Sequence, residues 1–200
     1  MSEHPRVDDE AAGTAALIFE DGTLRDLPRT GWRYDGISHA ETVAEHSHRT
    51  AFIGILLAAM EGADPARTAM LCVLHDFHEA RTGDLTPISR RYVTAADPGE
   101  VTADQVAAAH PAVQDAVIGA VTEFEADQTL EARCAHDADK LDCLIRAREY
   151  QAVGFPTQGK IDRCRAALTT DSAERLANAA VTMDPAQWQS SLRRAAAALR

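Results

Sequence analysis

The stretch at residues 64–80, DPARTAMLCVLHDFHEA, constrains the fold more than any other. An Asp-Pro step starts a helix well. The Asp side chain accepts the first free amide hydrogens, and Pro is tolerated at the first helical position. The helix that follows is strongly apolar (Leu71, Val73, Leu74), so other elements must cover it, yet it closes on His75, Asp76 and Glu79. Ionisable groups at the end of a core helix are costly to bury unless they bind something. The chain is also poor in aromatics (5%) and lacks alternating β-branched runs. Together these features predict an all-α bundle, a stack of helices with chemistry at its centre.

The remaining punctuation predicts the other helices. One covers about 11–20. A second runs over 41–60, stopped by Gly62, with Phe52, Ile53, Leu56 and Leu57 as its buried face. Others cover 111–126 and 129–153, the latter closed by Gly154, and Asp184-Pro185 opens a last one that includes the alanines at 195–198. Between them, residues 28–38 form a loop carrying Arg29-Thr30-Gly31-Trp32, and residues 82–87 a turn-rich loop. Residues 1–10 read as disordered and 11–200 as a single domain.

Two hundred residues suffice for a proper core. Lys and Arg number 20 against 31 Asp and Glu, a formal charge of 20 − 31 = −11. Such a surface argues against wrapping nucleic acid or docking on an anionic membrane, but not against a small phosphorylated ligand held by a local cation. No apolar run reaches the ~18 residues of a membrane span, and the acidic start is unlike a signal peptide. A cytoplasmic protein is the expectation. Cys72, Cys134, Cys143 and Cys164 show no CxxC spacing and read as buried small hydrophobes.

The pair His75-Asp76 is the centre of the chemical pattern. Glu79 lies one turn beyond it, and a glycine turn then delivers Asp84. Upstream, Glu45-His46-Ser47 sits on the second helix; downstream, Ala138-Asp139-Lys140 interrupts the apolar face of the long helix. Two imidazoles and two carboxylates on three core helices make a mixed nitrogen and oxygen site for a divalent transition metal. A bare His-Asp dipeptide means little, since His136-Asp137 is a second one, read here as flanking. His48 and His78 stand outside the pattern.

The order H…HD…D resembles that of the HD superfamily. The segments RTGW, ETVAEHSHRTAFI, LHDFHEARTGDLTP and EFEADQTLEARCAHDADKLDCLIRAREY resemble, over roughly residues 15–155, the HD-domain 5'-deoxynucleotidases. The resemblance implies an all-helical HD bundle, usually a homodimer. It also implies removal of phosphate from nucleoside 5'-monophosphates, with a small nucleotide as partner and a divalent cation (Mn, Co, Fe, Zn or Mg) as cofactor. The implied metal ligands are His46, His75, Asp76 and Asp139. Glu79 matches the catalytic acidic residue that positions or deprotonates the attacking water. Asp84, with Leu85, Thr86 and Pro87, matches a substrate-contacting loop in which the Asp meets the sugar hydroxyl or holds a second cation. Asp76 and Asp139 also face the substrate. Trp32 matches a tryptophan that obstructs a 2'-hydroxyl. Some relatives carry the phosphate-orienting Arg immediately before that Trp; here the position is Gly31, leaving Arg29 as the choice and Arg33 as its competitor. Two other readings stand: a phosphohydrolase retuned to another nucleotide, such as an unusual nucleoside phosphate or a triphosphate, and a non-catalytic nucleotide-binding module, disfavoured by the presence of all four ligands and Glu79. Beyond about residue 155 the resemblance fades. The C-terminal helices at 156–200, with Trp188, are open to service as a dimer surface, a lid or part of the core.

Overall fold

A computed structural model of the chain describes residues 10–197; the expectation of disorder at the N-terminus concerns residues that, Glu10 apart, lie outside that range. Ten α-helices occur among the described residues: α1 (Glu10–Asp21), α2 (Val43–Glu61), α3 (Pro65–Leu74), α4 (Glu79–Thr82), α5 (Pro98–Val106), α6 (Pro111–Ala126), α7 (Leu130–Ala152), α8 (Gln158–Ala166), α9 (Asp171–Thr182) and α10 (Gln187–Ala197). The only extended pairing among them is a single bridge, Pro28 to Thr42, which stitches the two ends of the Arg29–Trp32 loop together just before α2.

The predicted start at Asp64 and stop at Gly62 operate as expected, and a cap not named from the sequence sets the start of α2 at Val43 rather than 41. The Thr42 hydroxyl accepts the Glu45 amide hydrogen while the Glu45 carboxylate accepts that of Thr42, a reciprocal cap that fixes where α2 begins. Asp64 accepts the amide hydrogens of Ala66 and Arg67 in front of α3. Gly62 ends α2 in the left-handed region at φ 80°.

α2, α3 and α7 pack against one another and bury Leu57, Ala58, Leu71, Cys72, Ala138, Leu141 and Leu144 completely. The α2–α3 approach depends on Gly54: a Cβ there would lie 2.6 Å from Cys72 Sγ and 3.2 Å from Thr68 Cγ2. The same core continues into the C-terminal helices through Ile161, Cys164, Leu168, Ala173 and Ala177. Trp188, by contrast, is 63% exposed.

Two local readings need correction. Only Ile53 and Leu57 of the α2 quartet face the core; Phe52 and Leu56 are exposed, in line with Ile55 and Met60. Each residue turns the helix by about 100°, so adjacent apolar pairs split between the core and the flank. The helix at 64–80 is also not continuous. α3 stops at Leu74, and tight turns follow, with Phe77, Glu79 and Ala80 amides bonding Leu74, Asp76 and Phe77 carbonyls. The His75 imidazole Nδ1 bonds the Cys72 carbonyl at 2.7 Å. No Gly or Pro marks this break, which is why periodicity missed it.

Candidate metal centre and substrate pocket

The break after α3 aims His75 and Asp76 at α2 and α7. His46 Nε2 lies 3.3 Å from His75 Nε2, 3.2 Å from Asp139 Oδ1 and 3.6 Å from Asp76 Oδ2; His75 Nε2 lies 3.1 Å from Asp76 Oδ2. The donor atoms of His46, His75 and Asp76 all lie within 4.8 Å of one another. All four expected ligands are thus gathered at one point.

The outer nitrogens decide what this point can hold. His75 Nδ1 faces a carbonyl, which can only accept, so it carries the hydrogen and Nε2 presents a lone pair. His46 Nδ1 lies 2.6 Å from Asp142 Oδ2, with the same consequence. Two imidazole lone pairs and two carboxylates converging within hydrogen-bond distance repel unless a positive charge sits among them. A proton does so when no cation is present. Burial works against charging His46, but the carboxylates of Asp139 and Asp142 outweigh it and raise the imidazole to about 9. Burial likewise opposes the ionised forms of Asp76 and Asp139, yet the neighbouring imidazoles hold both below the usual carboxylate range, with Arg29 assisting at Asp76 and Lys140 at Asp139. This donor set suits a divalent cation.

Behind the expected ligands stands a partly buried ionic network, with Asp142 and Glu41 buried and Arg49, Arg146 and Glu149 half-buried. Asp142 pairs with Arg49, and Arg49 also bonds Glu149 at 2.9 Å. Arg49 and Arg146 both approach Glu41, at 3.7 and 3.3 Å. Glu41, His46 and Asp142 are close enough to suggest a second cation position, but Arg49 already supplies its positive charge.

Glu79 is buried close to Asp76 and Asp84. Burial first, then those two carboxylates, pushes its carboxyl up to about 9. Its Oε2 has no hydrogen-bond partner among the described residues.

A cavity of about 620 Å³ opens beside this cluster, lined by Arg29, Trp32, Asp84, Leu85, Thr86 and Pro87 together with Tyr34, Ile88, Cys143 and Lys160. Every expected substrate residue outside the metal ligands is on its wall. The ligands themselves are not, and Arg29 joins the two regions: it lines the cavity and its guanidinium reaches Asp76 at 2.9 Å and Asp139 at 3.9 Å. Arg33 turns elsewhere, bonding the Tyr34 hydroxyl at 3.1 Å. Trp32 is only 2% exposed; its indole N–H donates to Glu41 and its ring meets Tyr150 edge-on at 5.0 Å. Asp84 braces the two loops, accepting the amide and hydroxyl hydrogens of Thr30, whose hydroxyl also reaches the Asp84 carbonyl at 2.7 Å.

Sequence reasoning missed Asp142, Glu41, Arg49 and Lys160. Asp142 had a signal, three residues after Asp139 and therefore near the same helix face. Arg49 stands in the same relation to His46 on α2; Glu41 and Lys160 had no such signal. His48 is exposed, and His78 is buried with its imidazole held below its ordinary range by that burial.

The fold and this cluster define an HD domain: the chain belongs to the HD domain family, whose pattern matches residues 22–181. Among individual relatives, it is 26% identical over 134 residues to a 5'-deoxynucleotidase of Danio rerio, covering 65% of this chain and 66% of that protein, so it spans just under two thirds of that relative. It is 28% identical over 134 residues to a 5'-deoxynucleotidase of Schizosaccharomyces pombe, covering 64% and 67%. Its fold is similar to a conserved hypothetical protein from Pyrococcus furiosus, with TM-score 0.69 and 27% identity over 84% of this chain and 98% of that one.

Proposed function

We propose that this protein is a metal-dependent phosphohydrolase, a phosphoric monoester hydrolase that removes the 5'-phosphate from deoxynucleoside monophosphates. One observation carries the reading. His46, His75, Asp76 and Asp139 converge their open valences beside a cavity large enough for a nucleotide, with Arg29 spanning the two. The activity of the 5'-deoxynucleotidases it resembles points the same way.

A divalent cation in this site supplies Lewis acidity to the phosphoryl group and lowers the pKa of the attacking water. Mn, Co, Fe, Zn and Mg are the candidates. The Asp142 carboxylate and the Cys72 carbonyl hold His46 and His75 in the tautomer that presents Nε2. Arg29 exchanges its ion pair with Asp76 for a forked contact to phosphoryl oxygens, a match of planar geometry and permanent charge. Glu79 orients the water through its free Oε2 and accepts its proton. A nearby dication favours the ionised carboxylate that this role requires. As the water oxygen bonds to phosphorus, the P–O5' bond breaks; the 5'-oxygen takes a proton from solvent, and Glu79 returns to solvent the proton it accepted.

The Arg29–Trp32 loop, held from behind by the buried Trp32 indole, forms the rigid wall on the sugar side, with no room for a 2'-hydroxyl. Leu85, Thr86 and Pro87 form the facing wall, and Asp84 keeps the two walls together. The exposed stripe of Phe52, Ile55, Leu56 and Met60 on α2 suits a homodimer contact. No described helix is long and apolar enough to cross a membrane, which agrees with a cytoplasmic role. The test is phosphate release from nucleoside mono-, di- and triphosphates of both sugars, after chelation and re-addition of each metal. Release from deoxynucleoside monophosphates alone supports the reading. Equal hydrolysis of ribo- and deoxyribonucleotides removes the sugar preference, and no metal dependence removes the mechanism.

A further inference from the structure

α8 lies beyond the stretch whose motifs announce the site, yet it enters the cavity. Lys160 on α8 donates to the Gly31 carbonyl at 2.9 Å and to the Asp35 carboxylate at 2.7 Å. Its ammonium lies 4.7 Å from the centre of the Trp32 ring. One side chain thus grips the turn at Thr30–Asp35 from both ends and covers the indole between them. An ammonium over an indole face is attracted by the ring's negative face, so the contact adds to the two hydrogen bonds. Lys160 is 15% exposed and has no third hydrogen-bond partner among the described residues. Asp35 also lines the cavity. In a chain of formal charge −11, an Asp35 carboxylate without its lysine would meet an anionic ligand with repulsion.

We propose that Lys160 is a positioning residue that sets nucleoside specificity. It holds Trp32 at a fixed place in the cavity and neutralises Asp35. This rests on the phosphohydrolase reading above. The phosphoryl group is held by Arg29 and the metal centre, so loss of Lys160 falls on recognition of the nucleoside. A small ester such as p-nitrophenyl phosphate, which has no sugar to place, is less affected.

The test uses full-length protein carrying Lys160→Met, Lys160→Arg, or Lys160→Met with Asp35→Asn. Lys160→Met raises KM for a deoxynucleoside monophosphate by ~10-fold, the scale of a lost charged hydrogen bond. KM for p-nitrophenyl phosphate rises far less. Lys160→Arg, which keeps the charge, restores most of the loss, and Asp35→Asn recovers part of it. In a Trp188→Phe background, where Trp32 is the only tryptophan, acrylamide quenching of its fluorescence rises in Lys160→Met. A KM within twofold of wild type, a parallel loss on both esters, or unchanged quenching overturns the proposal. If the wild-type protein hydrolyses no nucleotide, the phosphohydrolase reading falls by itself. The quenching comparison and calorimetric binding of the same monophosphate then still decide the role of Lys160.

Discussion

The chain contains the dipeptide His-Asp twice, and the two copies do opposite work. At His75-Asp76 the inner atoms face His46 and one another, and Arg29 is the hydrogen-bonding cation that reaches them, at Asp76. At His136-Asp137 the polar atoms are turned to structural partners on α6 and at the start of α9. His136 stacks on Phe124 at 4.0 Å and bonds the Phe124 carbonyl at 2.9 Å. Asp137, 1% exposed, accepts the amide hydrogens of Thr169 and Thr170 and the Thr170 hydroxyl, tying α7 to the start of α9. The same two side chains converge with other ionisable groups in one place, where they are arranged to hold a cation, and form a structural clasp in the other.

Substitutions at the two pairs should separate these roles, and the largest effect belongs to the first. Asp76→Ala should abolish metal binding and phosphate release while leaving most helicity, as read by elemental analysis and circular dichroism. Stoichiometric metal with full activity would dissolve the contrast between the pairs. Glu79→Ala should keep the metal and lose ~10²-fold or more in turnover, the usual scale for a positioned acid or base. Near-normal turnover would move that role, with Asp84 the next candidate.

Asp142→Asn probes how much of the first pair's chemistry is borrowed. It touches no ligand position but releases His46 from its tautomer, and should weaken metal affinity by ~10–100-fold, measured by competition with a chelating dye. Unchanged affinity would mean that His46 needs no orienting partner. Asp137→Ala sharpens the other side. It should retain metal and turnover but lower stability by about 1–3 kcal/mol, the cost of stranding buried donors, visible in denaturant unfolding. A loss of metal there would make the second pair part of the centre.

The smallest effect is in pH dependence. In the chelated protein both His46 and Glu79 rise to about 9, from ordinary values of 6.5 and 4.5. The folded state therefore holds protons that the unfolded state releases. That stability is complete below those ordinary values and is lost as pH rises through about 9. The melting temperature of the chelated protein should fall between pH 7 and 9. A bound cation takes the proton's place among the ligands and should flatten the slope. Equal slopes with and without chelator would show that the buried positive charge is not shared in this way.

Much of this was legible before any coordinates. The cap at Asp64, the stop at Gly62 and the long helix that became α7 follow from local rules, because each depends on residues within one or two turns. That His46, His75, Asp76 and Asp139 belong together was legible because their residue types, in that order, match a known pattern. Phe52 and Leu56 were misjudged because apolar character does not say which flank of a helix is covered. The break after Leu74 was missed because a side-chain bond from His75, rather than a Gly or Pro, accompanies it.

What only the tertiary structure decided are pairings across long stretches of chain. His46 meets Asp142 across 96 residues, and Lys160 meets Gly31 across 129. Trp32 illustrates both levels. Its place in a loop before α2 was readable from the sequence, but its burial against Tyr150, its bond to Glu41 and the ammonium over its ring were not. Local sequence selects backbone conformation through caps and propensities. Which donor meets which acceptor is decided only when α2, α7 and α8 pack, because burial makes an unmet polar group too costly to keep.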